Sequence, residues 1–325
     1  MIIIVGDYTP FTGNHTTLMR LREILALRYR TMPFDITKDK MIHLLQYKFY
    51  CQKDNKKLIM ICLNANRCKK ILQHINIPYV LIAGGTDVNK NMYSIKQYFE
   101  KAWKVISFTE CMKKTLHLHI KKQVHVIPQS QPRCIISNRW IRKKLNIKHK
   151  DILVLLPAGI RPVKDVTYLL NAIKQWNNET DHRIVLVVIG PVRDKDYYKK
   201  VKDIKLDFFK IHGPVKSPNL CAAMTEADIV VNTSISEGMS GALLEAMSLG
   251  CFIMARNINA NRELILQNNE PCGVLFDSPK MFVKLAKQNL KQNNIFRDNA
   301  RKYVDSKFNF IKEREAYMRI FESTV

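Results

Sequence analysis

Two carboxylates flank a glycine-bearing turn, Glu237 before it and Glu245 after it, with seven residues between them. The apolar run 229–231 that precedes the turn predicts a short buried strand of a parallel sheet. From about Ser240, apolar residues recur at three- and four-residue spacing, which predicts a helix that Gly250 ends. A turn between a strand and a helix N-terminus offers backbone N–H groups and a positive dipole end, the combination that binds phosphate.

The position of the second carboxylate narrows the ligand class. Gly241 and Glu245 are one helical turn apart, so Glu245 can face back toward the helix N-terminus. A carboxylate there repels phosphate, but it can accept two hydrogen bonds from a ribose diol. This pattern favours a sugar nucleotide over inorganic phosphate.

The stretch SEGMSGALLEAMSLG (236–250), with NINANREL (257–264) after the next strand, resembles the signature of retaining glycosyltransferases of the GT-B fold, the GT4-type group. The resemblance implies that Glu237 lies by the donor sugar and that Glu245 binds the nucleotide ribose. It also implies that the backbone of the intervening turn holds the diphosphate, through Gly238, Met239 and Ser240. The alternative is an ordinary strand and helix whose glutamates are solvated.

Two cations follow another predicted strand, 152–156. Arg161 and Lys164 stand where this strand gives way to a helix, and either side chain can neutralise a diphosphate leaving group. The resemblance points the same way, although the family spaces its arginine and lysine five apart and here they are three apart. Lys164 is therefore the stronger candidate, and surface charge at a helix start is the alternative.

By resemblance, the activity is transfer of a sugar, with retention of configuration, from a nucleotide-diphosphate sugar that is UDP- or GDP-linked. Because the cations and the helix terminus supply the neutralisation, we expect no divalent metal and no other cofactor. Two alternatives stay open: a sugar-nucleotide epimerase on the same fold, and a non-catalytic protein that binds the nucleotide sugar. Tight donor binding without turnover would favour the second.

The first half of the chain contains two further candidate loops. TGN (12–14) follows the strand 2–5, and by resemblance Gly13 and Asn14 approach the donor phosphate or sugar. The loop AGGTDVN (83–89) presents Asp87 as a sugar or acceptor contact, with a helix N-cap as the alternative. Many relatives begin this loop with a histidine, and here Gly84 stands at that position.

Strands and helices alternate regularly, which predicts an α/β protein with parallel sheets. The resemblance implies the GT-B fold: two Rossmann-like domains that face each other across a cleft, with a C-terminal helix that crosses back to the first domain. We predict an acceptor-side domain over 1–140, completed by a helix at about 308–325, and a donor-binding domain over 141–307.

Composition limits the partners. Of the formal net charge of +25, most lies in residues 1–150, which hold 28 Lys and Arg against 8 Asp and Glu. An anionic acceptor or an anionic membrane surface would suit this charge, as would a lysine-rich surface without a partner. Nucleic acid is disfavoured because no recognition motif is present.

The eight cysteines show neither paired nor metal-ligand spacing, and no apolar run is long enough to span a bilayer. We therefore expect reduced thiols and a cytoplasmic protein.

Overall fold

The computed structural model describes residues 1–53, 56–90, 92–131, 134–266, 270–290 and 293–322, the side chain of Lys90 excepted. The chain divides into two compact units, Met1–Ser130 with Phe310–Val325, and Gln131–Asn309. The division lies earlier than the boundary at 140 that the sequence suggests. Within the described ranges, no helix combines the length and the apolar character that crossing a membrane requires.

The first unit is a parallel sheet with helices between its strands. Its strands are β1 (Ile2–Gly6), β2 (Thr31–Asp35), β3 (Ile59–Leu63), β4 (Tyr79–Ile82), β5 (Lys104–Ser107) and β6 (Val124–Val126). Its helices are α1 (Gly13–Ala26), α2 (Met41–Lys53), α3 (Ala65–His74), α4 (Gly85–Lys90), α5 (Met92–Lys101), α6 (Glu110–His117) and, from the end of the chain, α15 (Phe310–Glu322). The strand order is β2-β1-β3-β4-β5-β6, and every pairing is parallel.

The second unit repeats this architecture. Its strands are β7 (Ile152–Pro157), β8 (Ile184–Ile189), β9 (Phe209–His212), β10 (Ile229–Asn232), β11 (Ile253–Arg256) and β12 (Val274–Phe276). Its helices are α7 (Ile141–Lys144), α8 (Leu170–Glu179), α9 (Lys195–Lys202), α10 (Ser217–Glu226), α11 (Gly241–Ser248), α12 (Asn259–Ile265), α13 (Pro279–Asn289) and α14 (Asn294–Lys307). The order is β12-β11-β10-β7-β8-β9, again parallel throughout.

Each sheet has one point where the strand order reverses direction. In the first unit it lies between β1 and β3, and in the second it lies between β10 and β7. The loops that leave the carboxyl ends of such neighbours diverge to opposite faces of the sheet and open a crevice, the usual place for a ligand in this architecture. The loops with Glu237 and Lys164 leave the second of these points.

Helix α15 packs on α1, as the predicted return of the C-terminal helix requires. The contact includes a buried ion pair: Arg20 Nε donates to both carboxylate oxygens of Glu313, at 3.1 and 2.9 Å. The side chains of Arg20 and Glu313 are only 8% and 1% exposed. The predicted α/β architecture of parallel sheets is thus confirmed, and so is the return of the terminal helix to the first unit.

A glycine at the end of β8 is required by close packing. A Cβ atom on Gly190 would lie 2.2 Å from the carbonyl oxygen of Ala158, a backbone atom that cannot move aside cheaply. We expect Gly190→Ala to lower the free energy of unfolding by about 2–3 kcal/mol, the usual effect of overpacking. Gly213, which follows β9, is the matched control because no atom lies within 4 Å of its ideal Cβ position. Urea unfolding of both variants checks this, and equal losses would contradict it.

Candidate functional site

The loops after β7 and β10 are fastened together at the reversal point of the second sheet. A 3-10 turn, Pro162–Lys164, follows β7. The hydroxyl of Thr233 donates to the carbonyl oxygen of Lys164 at 2.8 Å, and the backbone N–H of Ile235 donates to the carbonyl oxygen of Val163 at 2.9 Å. These bonds fix the position of the Lys164 backbone relative to the loop that carries Glu237.

Lys164 and Glu237 form an ion pair in this crevice, in which the ammonium donates to Oε1 of the carboxylate. The same oxygen accepts a hydrogen bond from the Ser234 hydroxyl at 2.8 Å and one from the Asn232 amide at 3.4 Å. The side chains of Lys164 and Glu237 are 17% and 11% exposed. Two residues predicted from separate motifs therefore meet.

Opposing effects act on the pKa of Glu237. Burial raises it, but the Lys164 ammonium and the hydrogen bonds from Ser234 and Asn232 lower it by more, so the pKa lies below the usual range. The carboxylate is accordingly ionised at neutral pH. Because its charge offsets that of Lys164, an incoming diphosphate needs further positive potential from its surroundings.

The N-terminus of α11 supplies such potential. Ser240 is its N-cap, and its Oγ accepts from the backbone N–H of Leu243 at 3.4 Å. Gly238 and Met239 are buried just before the cap, and the first turn of α11 holds no acidic residue. The three residues predicted to hold the diphosphate thus lead into a helix N-terminus whose first turn carries no acidic side chain.

Asn232, the last residue of β10, forms hydrogen bonds to several residues of this loop. The sequence did not identify it as a residue with this role. Its amide donates to Ser240 Oγ at 3.1 Å, and its Oδ1 accepts from the backbone N–H of Ser234 at 3.0 Å. The same Oδ1 accepts from the side chain of Asn261 at 3.3 Å, and Asn261 is fully buried on α12. Asn261 lies inside NINANREL, so this motif could have indicated that Asn261 belongs to the site.

Glu245 lies on α11 and accepts from three donors, two on α10 and one in the segment before α7. Its Oε1 accepts from the thiols of Cys221 (3.4 Å) and Cys134 (3.6 Å) and from the hydroxyl of Ser217 (3.5 Å). Burial raises the pKa of Glu245 above its ordinary value, and these weak donors only partly oppose that rise. Cys134, Cys221 and Glu245 are also a group whose ligand atoms could hold a metal ion, since they lie within 4.8 Å of one another.

Further cations stand at the same edge of the sheet. Arg161 immediately precedes the 3-10 turn, half-buried and with extended backbone. Arg256, at the end of β11, donates to Asp165 Oδ2 at 3.0 Å and lies 4.0 Å from the ring centroid of Tyr168. Arg256 was not a sequence candidate, because a single arginine at a strand end carries no distinctive pattern.

The residues predicted from TGN lie in the first unit, at the start of α1. Thr12 is the N-cap and accepts from the backbone N–H of His15 at 3.1 Å. Gly13 is exposed with open space around its Cβ direction, and Asn14 is half-buried. Their contact with a donor stays a prediction.

Asp87 has a different role from the sugar or acceptor contact that the sequence suggested. It is fully buried, and its carboxylate accepts from the backbone N–H groups of Ala65 (2.8 Å), Asn66 (3.0 Å) and Gly84 (2.9 Å). Both oxygens are therefore engaged in joining the start of α3 to the loop after β4. The helix-capping alternative is closer to the finding, because Asp87 accepts from the N–H of Gly84, just before its own helix α4, and from the first N–H groups of α3.

Gly84, where the resemblance leads us to expect a histidine, is closely packed. A Cβ atom on Gly84 would lie 2.4 Å from Nδ2 of Asn64. Asn64 is held in place, because it donates to the Thr86 hydroxyl at 2.8 Å and accepts from the backbone N–H of Arg67 at 3.1 Å. A histidine at position 84 would have to displace Asn64.

One Asp-x-Asp tripeptide, at 194–196, bears on the expected independence from metal. Asp194 is the N-cap of α9 and accepts from the backbone N–H of Tyr197 at 2.9 Å. Asp196 points to solvent, where it pairs with Lys199. This tripeptide begins a helix, and its local contacts explain it without a metal ion.

A family model and a relative at 30% identity indicate the same protein family. Residues 137–306 match the family described as glycosyl transferases group 1. "Glycosyltransferase 1 domain-containing protein 1" of Xenopus tropicalis is 30% identical, over 98% of this chain and 96% of that protein.

Solved structures that resemble the whole chain share its fold at low identity. Anabaena HepE, in complex with UDP-glucose, has a TM-score of 0.79 at 12% identity, and sucrose-phosphate synthase of Thermosynechococcus elongatus has 0.78 at 13%; each match covers 99% of both chains. WaaG, a glycosyltransferase involved in lipopolysaccharide biosynthesis, has a TM-score of 0.69 at 16% identity, over 98% of this chain and 99% of that one.

Proposed function

Since this chain belongs to the group 1 glycosyl transferases, we propose that it transfers a sugar from a nucleotide-diphosphate sugar to an acceptor. The observation that carries the proposal is the pairing of Lys164 with Glu237 at the reversal point of the second sheet, beside the N-terminus of α11. The complex of HepE with UDP-glucose supports a UDP-linked donor as the first to test, with a GDP-linked donor as the alternative.

The leaving diphosphate gains charge in the transition state, and this proposal gives that charge several partners. Lys164 and Arg161 approach it from the loop after β7, and the backbone N–H groups of 238–240 approach it from the helix N-terminus. Fixed donors in a water-poor site stabilise developing charge strongly, because they need no reorganisation when the bond breaks. No divalent metal is required by this scheme.

We propose that configuration is retained, as in the GT4-type group. Ionised Glu237 lies by the donor sugar and, with Asn232 and Ser234, keeps the Lys164 ammonium in place. Attack on the face from which the diphosphate leaves would allow a donor phosphate oxygen to take the acceptor proton. Glu237 then acts on the sugar through charge and position.

The acceptor side is assigned to the first unit, whose surface charge favours an anionic acceptor or an anionic membrane surface. Residues 1–130, which form most of this unit, hold 21 Lys and Arg against 8 Asp and Glu, and attraction of this kind weakens as salt screens it.

Calorimetric titration with UDP-, GDP- and ADP-linked sugars tests the proposed nucleotide site. One base should bind selectively, and Glu245→Gln should weaken that binding about 10- to 100-fold, because a charge-assisted hydrogen bond to the ribose becomes a neutral one. Glu179→Gln, an exposed change at the end of α8, is the matched control and should have no effect. Equal affinities of the two variants would contradict the ribose role.

The same titration should depend on pH through Glu245. Its pKa is raised by burial, so as the pH falls the carboxylate is protonated sooner than an ordinary glutamate, and UDP-glucose affinity should fall with it. The pKa of Glu237 is lowered, so the pair with Lys164 persists through that window. We expect a pH-dependent affinity in the wild type and a flat one in Glu245→Gln. An equal loss of affinity with falling pH in the wild type and in Glu245→Gln would show that a group other than Glu245 titrates.

A further inference from the structure

Three metal-binding side chains from distant parts of the sequence converge in the second unit. Cys134 lies in the segment before α7, Cys221 on α10 and Glu245 on α11. The two thiol sulfurs lie 3.6 and 3.4 Å from the same carboxylate oxygen, and all three ligand atoms are within 4.8 Å of one another. The spacing along the chain gives no hint of this group.

The two sulfur–oxygen separations match those of a tetrahedral metal site. Zinc binds sulfur at about 2.3 Å and carboxylate oxygen at about 2.0–2.2 Å, so tetrahedral angles place neighbouring sulfur and oxygen ligands about 3.5 Å apart. An ion at the centre of the group would therefore need little movement of Cys134, Cys221 or Glu245. The Ser217 hydroxyl, 3.5 Å from the same oxygen and 3.9 Å from Cys221 Sγ, lies at the edge of the group.

The chemical type of the three ligand atoms determines which metal ions the group would prefer. Two thiolates with one carboxylate favour a borderline or soft cation over magnesium or calcium, which prefer all-oxygen ligands. Cys221 is buried, whereas Cys134 and Glu245 are half-buried, so an ion could enter from the partly exposed side. Three protein ligands leave one position for water or another ligand.

We propose that Cys134, Cys221 and Glu245 bind one thiophilic divalent cation, of which Zn²⁺ is the example. Binding converts both thiols to thiolates, so each ion bound releases two protons to the buffer while the carboxylate stays ionised. Resting on the proposed function, the ion and the donor ribose would then compete for the carboxylate of Glu245. The cation would act as an inhibitor of donor binding.

Cobalt(II) titration of the whole reduced protein tests the site without any nucleotide. We expect one equivalent to give thiolate-to-cobalt charge-transfer absorption and tetrahedral visible bands, both abolished by an equivalent of Zn²⁺. Cys134→Ser, at a half-buried position, should lose the bands, and Cys221→Ala should lose them independently. Cys111→Ser, a cysteine of similar exposure on α6, should keep them. No such bands in the wild type, or bands unchanged in Cys134→Ser, would overturn the proposal.

UDP-glucose titration with and without Zn²⁺ then tests the competition. The apparent Kd of the wild type should rise by about tenfold or more at saturating Zn²⁺. Cys134→Ser should show no rise beyond what zinc binding to the nucleotide itself causes. An unchanged Kd would overturn the inhibition and leave the cation site intact. Failure of UDP-glucose and the other nucleotide sugars to bind under any condition would refute the proposed function, while the cobalt spectrum would still decide the metal site.

Discussion

Lys164→Ala should lower the turnover of the donor by about 10²–10³, with donor binding changed less. Lys164 Nζ donates to the Glu237 carboxylate, and the carbonyl oxygen of Lys164 is fixed by the Thr233 hydroxyl. Removing the ammonium takes away a charge that is already oriented toward the leaving group. It also removes the ammonium that offsets the charge of the Glu237 carboxylate in a largely buried place.

Two controls separate the loss of catalysis from a loss of structure. Lys199→Ala removes a lysine of the same unit that is 69% exposed and should leave the rate unchanged. Lys164→Arg keeps the charge but changes its shape, so it should retain more activity than Lys164→Ala. The rate of UDP release from the donor, measured at saturating donor concentration, gives the turnover of each variant. A thermal melt of each variant checks that it is folded. A folded Lys164→Ala protein with wild-type turnover would exclude Lys164 from the chemistry.

Glu313→Ala should lower the free energy of unfolding of the first unit by about 3–5 kcal/mol, because it leaves the buried guanidinium of Arg20 without its carboxylate. Glu313 also accepts hydrogen bonds from the backbone N–H and hydroxyl of Ser130. Among the described residues, Arg20 would keep its bond to Gln129, at 2.8 Å. The resulting local unfolding should be largest in helices α1 and α15.

The same helix offers a matched control. Glu322 pairs with Arg28, but their side chains are 48% and 56% exposed, so Glu322→Ala should cost no more than about 1 kcal/mol. Native-state hydrogen exchange of the α1 and α15 amides distinguishes the two variants, because it reports on the first unit separately from the second. Similar protection in both would show that the buried pair does not hold α15 on the first unit.

Periodicity and composition predict most of the regular elements. The stretch 184–189 is an unbroken run of six apolar residues, and β8 is buried at every position, as such a run requires. Strand β2 escaped prediction because it lies at the edge of its sheet and contains Pro33, which removes a ladder donor. The family resemblance supplied the GT-B arrangement, which periodicity alone does not specify.

Side-chain partners are harder to predict than elements. Lys164 and Glu237 were both candidates, but only the neighbouring positions of β7 and β10 show that they meet. Asp87 looked like a ligand contact because it follows two glycines, whereas burial commits it to three backbone donors. Contacts of this kind depend on which strands become neighbours.

The proximity of Cys134 to Cys221 has the same origin. The two cysteines lie far apart in sequence, so no spacing rule detects them, and the fold brings both to one carboxylate.

Proton NMR of a panel of UDP- and GDP-linked sugars incubated with the protein tests the central claim most directly. We predict that one donor is consumed, that its nucleoside diphosphate is released, and that the first-formed sugar product keeps the anomeric configuration of the donor, with water replacing the acceptor where none is supplied. Binding without consumption of any donor would contradict the claim and favour a nucleotide-sugar-binding protein. Conversion to an epimeric sugar would favour an epimerase, and a product of inverted configuration would contradict retention.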